Sequence, residues 1–378
     1  MGTAQGRLAV VILVDALGWD IVERFGFARA LLPRRGALET VLGYSSAAIP
    51  SLLTGKRPDA HGAWAMFCRA QGNSPFAFLR HAPRLPHALE WRARRLARRL
   101  ADRRGSVRGY YDLYEIPVHL LARFDVAQAG DPYLPGGLAR ESLFDRLLST
   151  DVAYRMWYYR TPESDNMAAL VDAIASRERL LFLYTAELDA LMHRVGTTAE
   201  IVGERLRRYE RFIERVLERA RSRGREANVY VLSDHGMTDV HAEIDLWGEL
   251  ERQGLRLGRD YLAFYDSTMA RFWARPGVVE AAARVLEDAG KGRQVAEAEL
   301  RALGCYFPDG RYGTSILLAD PGVMIVPSFM GAQRIAAMHG YDPRDGGSFG
   351  CFLTDDPRGA LPRSILEVKD YLLEGVAS

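Results

Sequence analysis

Metal-ligating side chains stand at defined spacings in the second half of the chain. Asp189 and His193 are four residues apart, so the two side chains lie on one face if this segment is helical. Asp234 and His235 are adjacent and precede Gly236, which suits a turn that presents both side chains inward. Carboxylate and neutral imidazole groups are ordinary zinc ligands. These spacings therefore predict metal binding.

A hydroxyl-bearing segment near the N-terminus suggests chemistry on an anion. It begins at Ser45 and continues to Gly55, and Ser51–Thr54 is expected to form the first turn of a helix after a short loop. The backbone N–H groups and the dipole at a helix N-terminus favour an oxyanion or a phosphate. Ser45 is therefore a candidate for phosphoryl chemistry.

Alternating strands and helices must position these side chains. A continuous apolar run predicts a buried strand at Leu8–Val14, and Leu180–Tyr184 is a second apolar strand. Ala37–Leu42 and Asn228–Leu232 are also expected to be strands. Helical patterns cover Ile21–Leu32, Asn166–Ser176 and about Ala199–Arg223. This alternation predicts an α/β fold with a mainly parallel sheet flanked by helices.

The candidate residues follow the ends of those strands. Asp15 directly follows the first strand, and Ser45 comes shortly after the second. Asp189 follows the third strand, and Asp234 and His235 follow the fourth. Ligands of open α/β sheets bind outside the carboxyl ends of the strands. The sequence therefore predicts one site at one edge of the sheet.

Two segments interrupt the alternation of strands and helices. Residues 63–150 contain aromatic residues, prolines and an arginine-rich helix, and are interpreted as an inserted cap. Residues 260–318 combine strand-like Phe264–Trp273 with helical Val278–Ala289 and are interpreted as a small α+β subdomain. The catalytic α/β core then comprises residues 1–62, 151–259 and 319–378.

The arginine-rich helix of the cap admits two interpretations. An apolar stripe, comprising Leu89, Ala93, Leu96 and Leu100, predicts an amphipathic helix that buries this stripe and exposes a solvated basic face. The alternative is a basic patch that attracts an anionic substrate, an acidic partner or a membrane surface.

The composition of the 378-residue chain is that of a soluble globular protein, with 48% hydrophobic and 26% charged residues. A net charge of +2 does not indicate a dedicated nucleic-acid or membrane binder. Cys68, Cys305 and Cys351 show no metal-ligand spacing and fit a reducing compartment. No apolar run is long enough to span a membrane, and Leu8–Val14 lacks a signal-peptide cleavage site. A cytoplasmic location is expected.

Five short motifs occur in an order that resembles a known superfamily. They are Leu13–Gly18, Ser51–Gly62, Asp189–Gly196, Ser233–Gly236 and Met338–Tyr341. Together they are similar to the alkaline phosphatase superfamily, closest to its nucleotide pyrophosphatase/phosphodiesterase branch. The resemblance implies two divalent metal ions, expected to be Zn²⁺, with Mn²⁺ or mixed occupancy as alternatives. It also implies a small phosphorylated substrate such as a nucleotide, and makes a nucleic-acid partner unexpected.

The resemblance assigns a role to each candidate residue. Asp189, His193 and His339 would hold one ion, and a second set would hold the other: Asp15, Asp234 and His235. Ser45, at the family's spacing before Gly55, would be the nucleophile between the ions. Cleavage of a phosphodiester or phosphoanhydride would then pass through a covalent phospho-serine.

The chain also departs from the family pattern. The phosphodiesterase branch has an Asn after the nucleophile that contacts a phosphoryl oxygen, but His61–Met66 contains none and Asn73 is out of register. A phosphomonoesterase on the same scaffold is therefore the first alternative. A non-catalytic binding protein that retained the fold is the second. Sulfatases need Pro and Arg where this chain has Ala47 and Ile49, which argues against that activity.

Overall fold

The computed structural model describes residues 7–72, 74–105 and 107–377. The strands in these residues are β1 (Leu8–Val14), β2 (Arg34–Leu38), β3 (Phe67–Arg69), β4 (Phe124–Val126), β5 (Tyr154–Trp157), β6 (Leu180–Thr185), β7 (Ala227–Leu232), β8 (Thr238–Asp239), β9 (Ala242–Ile244), β10 (Leu262–Tyr265), β11 (Met269–Trp273), β12 (Gly292–Val295), β13 (Ser315–Ala319), β14 (Val323–Ile325), β15 (Ala337–Met338) and β16 (Gly350–Thr354).

The helices connect these strands and cover the sheets. They are α1 (Trp19–Phe25), α2 (Ser45–Thr54), α3 (Pro58–His61), α4 (His87–Arg104), α5 (Val118–Leu121), α6 (Leu143–Ser149), α7 (Glu163–Ala173), α8 (Glu187–Val195), α9 (Glu200–Ser222), α10 (Leu246–Arg252), α11 (Pro276–Asp288), α12 (Glu297–Ala302) and α13 (Ile365–Ala377). Short 3₁₀ turns lie at Ala77–Leu79 and Gly346–Ser348. Among the described residues, no helix has the length and apolar character needed to cross a membrane.

A six-stranded sheet in the order β2-β16-β7-β1-β6-β5 forms the centre of the molecule. β1 is parallel to both β6 and β7, and β5 is parallel to β6. β16 is antiparallel to its two neighbours, β2 and β7, so the other five strands share one direction. The predicted mainly parallel α/β sheet is therefore confirmed.

Both faces of this sheet are buried, as the apolar run of β1 predicts. Alternate side chains of β1 point to opposite faces: Leu8, Val10 and Ile12 pack in one apolar cluster, and Val11 and Leu13 in the other. Helices α7 and α9 cover the first face, and α2 and α13 cover the second. This two-sided burial fixes the strand ends that carry the site.

Several predicted boundaries are wrong for local reasons. The first helix ends at Phe25 instead of Leu32, because Gly26 adopts the left-handed conformation (φ 61°) and caps it. β2 lies at Arg34–Leu38, earlier than the predicted Ala37–Leu42. Helix α2 begins at Ser45 and contains Pro50, whereas its first turn was predicted at Ser51–Thr54. Helix α7 begins and ends three residues before the predicted Asn166–Ser176.

A second, antiparallel sheet has the order β10-β11-β13-β12. The predicted strand-like segment Phe264–Trp273 is two strands, because the chain turns between Tyr265 and Met269. Side chains from both residues 67–126 and residues 244–329 contribute to one apolar cluster beside this sheet. The division of the chain into core, cap and subdomain stays a prediction.

Helix α4 packs differently from the prediction. Its buried residues are Glu90, Arg94, Ala97 and Ala101. Leu89 and Leu96, from the predicted buried stripe, are 46% and 58% exposed. The predicted helix is present, but the face that it buries was predicted wrongly.

Candidate metal centre and nucleophile

The strand ends bring the predicted residues into two compact groups. Asp15, Asp234 and His235 form the first group, and their potential ligand atoms all lie within 4.8 Å of one another. The second group is formed by Asp189, His193 and His339 under the same limit. The structure thus brings together every residue of the two predicted ligand sets, while their roles as ligands stay a prediction.

The first group surrounds the Ser45 hydroxyl. Ser45 Oγ lies 2.9 Å from Nε2 of His235 and 3.4 Å from Oδ1 of Asp15. Nε2 of His235 is 3.3 Å from Oδ2 of Asp234. β1 and β7 are neighbours in the sheet, so Asp15 and Asp234 emerge side by side. The hydroxyl therefore faces the first ligand set from the N-terminus of α2.

The second group combines helix α8 with a distant loop. Asp189 and His193 are on one face of α8, with Oδ1 and Nε2 3.2 Å apart. Nε2 of His339 lies 3.4 Å from the same oxygen of Asp189. His339 directly follows β15, which pairs with β8 shortly after His235. This pairing explains how so distant a residue reaches the site.

Hydrogen bonds fix the orientation of two histidine rings. Nδ1 of His193 donates to the carbonyl of Ala337 at 2.8 Å, and Nδ1 of His235 donates to the carbonyl of Gly236 at 3.0 Å. A carbonyl can only accept, so the proton of each Nδ1 is fixed, and Nε2 is the nitrogen left to offer its lone pair to a metal ion. Such a bond to the second ring nitrogen is typical of metal-ligating histidines.

The electrostatics of the site fit divalent cations. Asp234 is fully buried, and neither of its carboxylate oxygens has a hydrogen-bond partner among the described residues. Burial, together with the charges of Asp234 and Asp189, raises the pKa of Asp15 well above its usual value. Burial also lowers the pKa of His339 to about 3, which keeps this ring neutral. Clustered buried carboxylates are costly unless a cation compensates them, so these residues suit two bound metal ions.

Sequence reasoning missed Tyr184 as part of the site. Its hydroxyl donates to Oδ2 of Asp15 at 2.5 Å, which leaves Oδ1 facing Ser45. Tyr184 is buried in β6, beside β1. The signal available in the sequence was the phenol hydroxyl of Tyr184, near the end of an otherwise apolar strand. Its buried ring also contacts that of Tyr133, with centroids 5.2 Å apart.

Gly43 sets the approach of the chain to Ser45. Its φ of 131° is one that residues with a Cβ rarely adopt, and an added Cβ would lie 3.0 Å from Ala47 Cβ and 3.2 Å from the carbonyl of Trp64.

We expect Gly43→Ala to cost about 1–3 kcal/mol of stability and to lower turnover by displacing Ser45. Urea unfolding and initial rates would measure both effects. Gly36→Ala, which meets nothing within 4 Å, is the control, and equal losses in both variants would contradict this account.

His61 links helix α2 to the following loop. The ring is 3% exposed, its Nδ1 accepts from the amide of Ala63, and Nε2 therefore donates to Ser51 Oγ at 2.9 Å. Burial lowers the pKa of His61 from 6.5 to about 4. This neutral ring contributes stability above the unfolded pKa of 6.5 that is lost as the pH falls through about 4. The ring thus connects α2 to the loop through these hydrogen bonds and belongs to neither predicted ligand set.

We expect His61→Gln to flatten this acid dependence of stability. The wild type should lose on the order of 1–3 kcal/mol more than the variant between pH 7 and pH 4. Urea unfolding at both values would measure it, with His81→Gln at an exposed position as the control. Identical pH dependence in the wild type and His61→Gln would contradict the assignment.

The loop that lacks the family's asparagine offers no side-chain replacement. Ala63, Trp64 and Ala65 are buried, and the indole Nε1 of Trp64 donates to the carbonyl of Leu42 at 2.7 Å. Asn73, the nearest asparagine in sequence, lies outside the described residues. The contact to a phosphoryl oxygen must therefore be absent or come from elsewhere.

The fold and the arrangement of the two ligand sets define the class of protein as an alkaline phosphatase-like α/β protein. The model of the family "Type I phosphodiesterase / nucleotide pyrophosphatase" matches residues 9–342. The chain belongs to this family of hydrolases, and the predicted branch of the superfamily is confirmed. No protein in a set of curated sequences matches the chain.

Solved structures share the whole architecture. Murine ectonucleotide pyrophosphatase/phosphodiesterase 5 superposes with a TM-score of 0.69 at 15% identity, covering 98% of this chain and 95% of that one. An inactive variant of the murine protein in complex with AMP has the same values. The human protein gives 0.68 at 13% identity, with the same coverage. At these identities the likeness establishes the fold alone.

Proposed function

We propose that this protein hydrolyses a phosphodiester or phosphoanhydride bond of a nucleotide or related small molecule, with Ser45 as nucleophile and two divalent metal ions. The observation that carries the proposal is the Ser45 hydroxyl at the N-terminus of α2, 2.9 Å from His235 and facing a buried ligand set. The AMP complex of the murine relative supports a nucleotide substrate.

The two ligand sets would hold the ions, expected to be zinc because the donors are three imidazoles and three carboxylates. When bound, such ions act as Lewis acids that make a hydroxyl more acidic and stabilise charge on phosphoryl oxygens. Asp15, held by Tyr184, and His235, held by Gly236, keep their ligand atoms beside Ser45. The chain thus presents the nucleophile without further rearrangement.

In the proposed reaction, Ser45 Oγ loses its proton to solvent and forms a bond to phosphorus, and the bond to the leaving-group oxygen breaks. The dipole at the N-terminus of α2, which begins at Ser45, favours the negative charge on the phosphoryl group. Water then cleaves the phospho-Ser45 ester and releases a phosphate monoester. Ser45 regains its proton and the enzyme is restored.

A phosphomonoesterase is the competing function, favoured by the missing asparagine and by the inward-facing Trp64. We expect bis(p-nitrophenyl) phosphate to be cleaved with a higher kcat/KM than p-nitrophenyl phosphate in a zinc-loaded preparation. Initial rates of p-nitrophenol release measure both. A clear preference for the monoester would replace the diesterase proposal with the monoesterase. If removal of the metal ions by a chelator left both activities intact, the diesterase and the monoesterase proposals would both be contradicted.

A further inference from the structure

Helix α4 is attached to the molecule through its polar side. Oε2 of Glu90 accepts from the amide of Val118 at 3.0 Å, and Arg94 pairs with Glu115 at 2.6 Å. Two small residues, Ala97 and Ala101, complete the buried side. The helix therefore buries few apolar atoms of its own.

Three of the four large apolar side chains of α4 face outward instead, and Leu100 is half-buried. Leu89, Trp91 and Leu96 are 46%, 52% and 58% exposed. Burying a side chain of this kind is normally worth about 1.5–3 kcal/mol. Within the described part of the chain none of these three residues is packed into an apolar cluster.

Arginines occupy the centre of the same outward side. Arg92, Arg95, Arg99 and Arg103 recur at spacings of three and four residues and are all exposed. No carboxylate of the described residues forms an ion pair with any of the four, whereas Arg98 pairs with Asp112 at 3.3 Å. The guanidinium of Arg92 lies over the ring of Trp91, 5.3 Å from its centroid. Cationic and apolar groups are thus interleaved on one free surface.

Helix α9 shows that this arrangement is not a general property of arginine-rich helices here. α9 buries its apolar side, including Leu206, Phe212 and Val216, in the core. Its exposed arginines alternate with glutamates such as Glu204 and Glu214. Three exposed large apolar side chains and an excess of arginine over acidic residues therefore occur together on α4, whereas α9 exposes one such side chain, Ile201, among alternating charges.

We propose that α4 is a docking surface for a bilayer containing anionic phospholipids. Leu89, Trp91 and Leu96 would enter the headgroup region, and the four unpaired arginines would bind lipid phosphates. A bilayer offers apolar and anionic groups together along a flat surface, as an interfacial helix requires. A nucleic acid would leave the apolar residues without a partner. This binding is independent of the proposed hydrolysis.

Vesicle sedimentation tests the proposal with the full chain. We expect the protein to sediment with vesicles of phosphatidylcholine and phosphatidylserine, but not with phosphatidylcholine alone, and to be released by salt. Replacing the four arginines of α4 by Gln should lower the partition coefficient about a thousandfold, at about 1 kcal/mol for each arginine. Replacing Leu89, Trp91 and Leu96 by Gln should lower it about tenfold.

The matched control removes the same charge from α9. The control set is Arg207, Arg208, Arg211 and Arg215, each replaced by Gln, and it should bind vesicles within about twofold of the wild type. Thermal unfolding confirms that each variant is folded. Equal losses in the α4 and α9 sets, or no binding of the wild type, would overturn the proposal. The proposal would also be overturned if the wild type self-associated but did not bind vesicles, and if replacing Leu89, Trp91 and Leu96 abolished this self-association.

Discussion

Ser45→Ala should lower kcat for bis(p-nitrophenyl) phosphate by about a thousandfold or more while leaving the metal content unchanged. The change removes the proposed nucleophilic oxygen, but none of the six predicted ligand side chains. Ser45 Oγ accounts for contacts to His235 and Asp15 only, so folding should be unaffected. Initial rates, metal analysis and thermal unfolding measure the three expectations.

Two further variants isolate the role of the hydroxyl. Ser46→Ala changes the neighbouring residue in the same helical turn and should retain activity within about twofold. Ser45→Thr keeps a hydroxyl and should retain turnover that Ser45→Ala lacks. Acid quenching during turnover should trap a phosphate ester on Ser45. Full activity of Ser45→Ala would refute the nucleophile assignment, and loss in Ser46→Ala alone would move it to the neighbour.

Asp234→Asn should have opposite effects on the metal-free and metal-loaded protein. Asp234 is fully buried. The pKa of Asp15 is raised mainly by the burial of its own carboxyl group and next by the negative charge of Asp234. The metal-free wild type therefore loses stability as the pH rises through the raised pKa of Asp15. Removing the charge of Asp234 should stabilise the metal-free protein by on the order of 1–2 kcal/mol near neutral pH.

With excess zinc the order of stability should reverse, and the wild type should be more stable than Asp234→Asn. A ligand that binds only the native state, present at about a thousand times its Kd, stabilises by about 4 kcal/mol, and Asp234→Asn should lose most of this gain together with activity. Differential scanning calorimetry with chelator and with zinc measures both states. Asp320→Asn, at an exposed position, should behave as the wild type. A lower melting temperature of metal-free Asp234→Asn would argue against the predicted charge repulsion.

The sequence allowed prediction of which residues lie close together more reliably than of the element boundaries around them. The strands β1, β6 and β7 are largely apolar, so their ends, and with them Asp15, Asp189 and Asp234, could be located. The end of α1 was missed because it depends on the left-handed backbone conformation of Gly26. The contact of Tyr184 with Asp15 depends on strand order, which no local pattern encodes.

The orientation of α4 shows a different limit. Its leucine spacing predicted the buried side by the usual rule that apolar residues face the core. The rule failed because Arg94 pairs with Glu115, in the turn before α5, and Glu90 accepts from the amide of Val118, the first residue of α5. Such pairings are determined by tertiary structure.

The place of β16 in the sheet has a consequence for how the molecule is assembled during synthesis. β16 lies between β7 and β2, although it follows both of them in the sequence. Until residues 350–354 emerge from the ribosome, β2 lacks the strand with which it pairs in the sheet. A nascent chain that extends to His339 already contains all six predicted ligands, but β2, which precedes Ser45, is not yet joined to the sheet. The position of the proposed nucleophile thus depends on a strand that is synthesised after every predicted metal ligand.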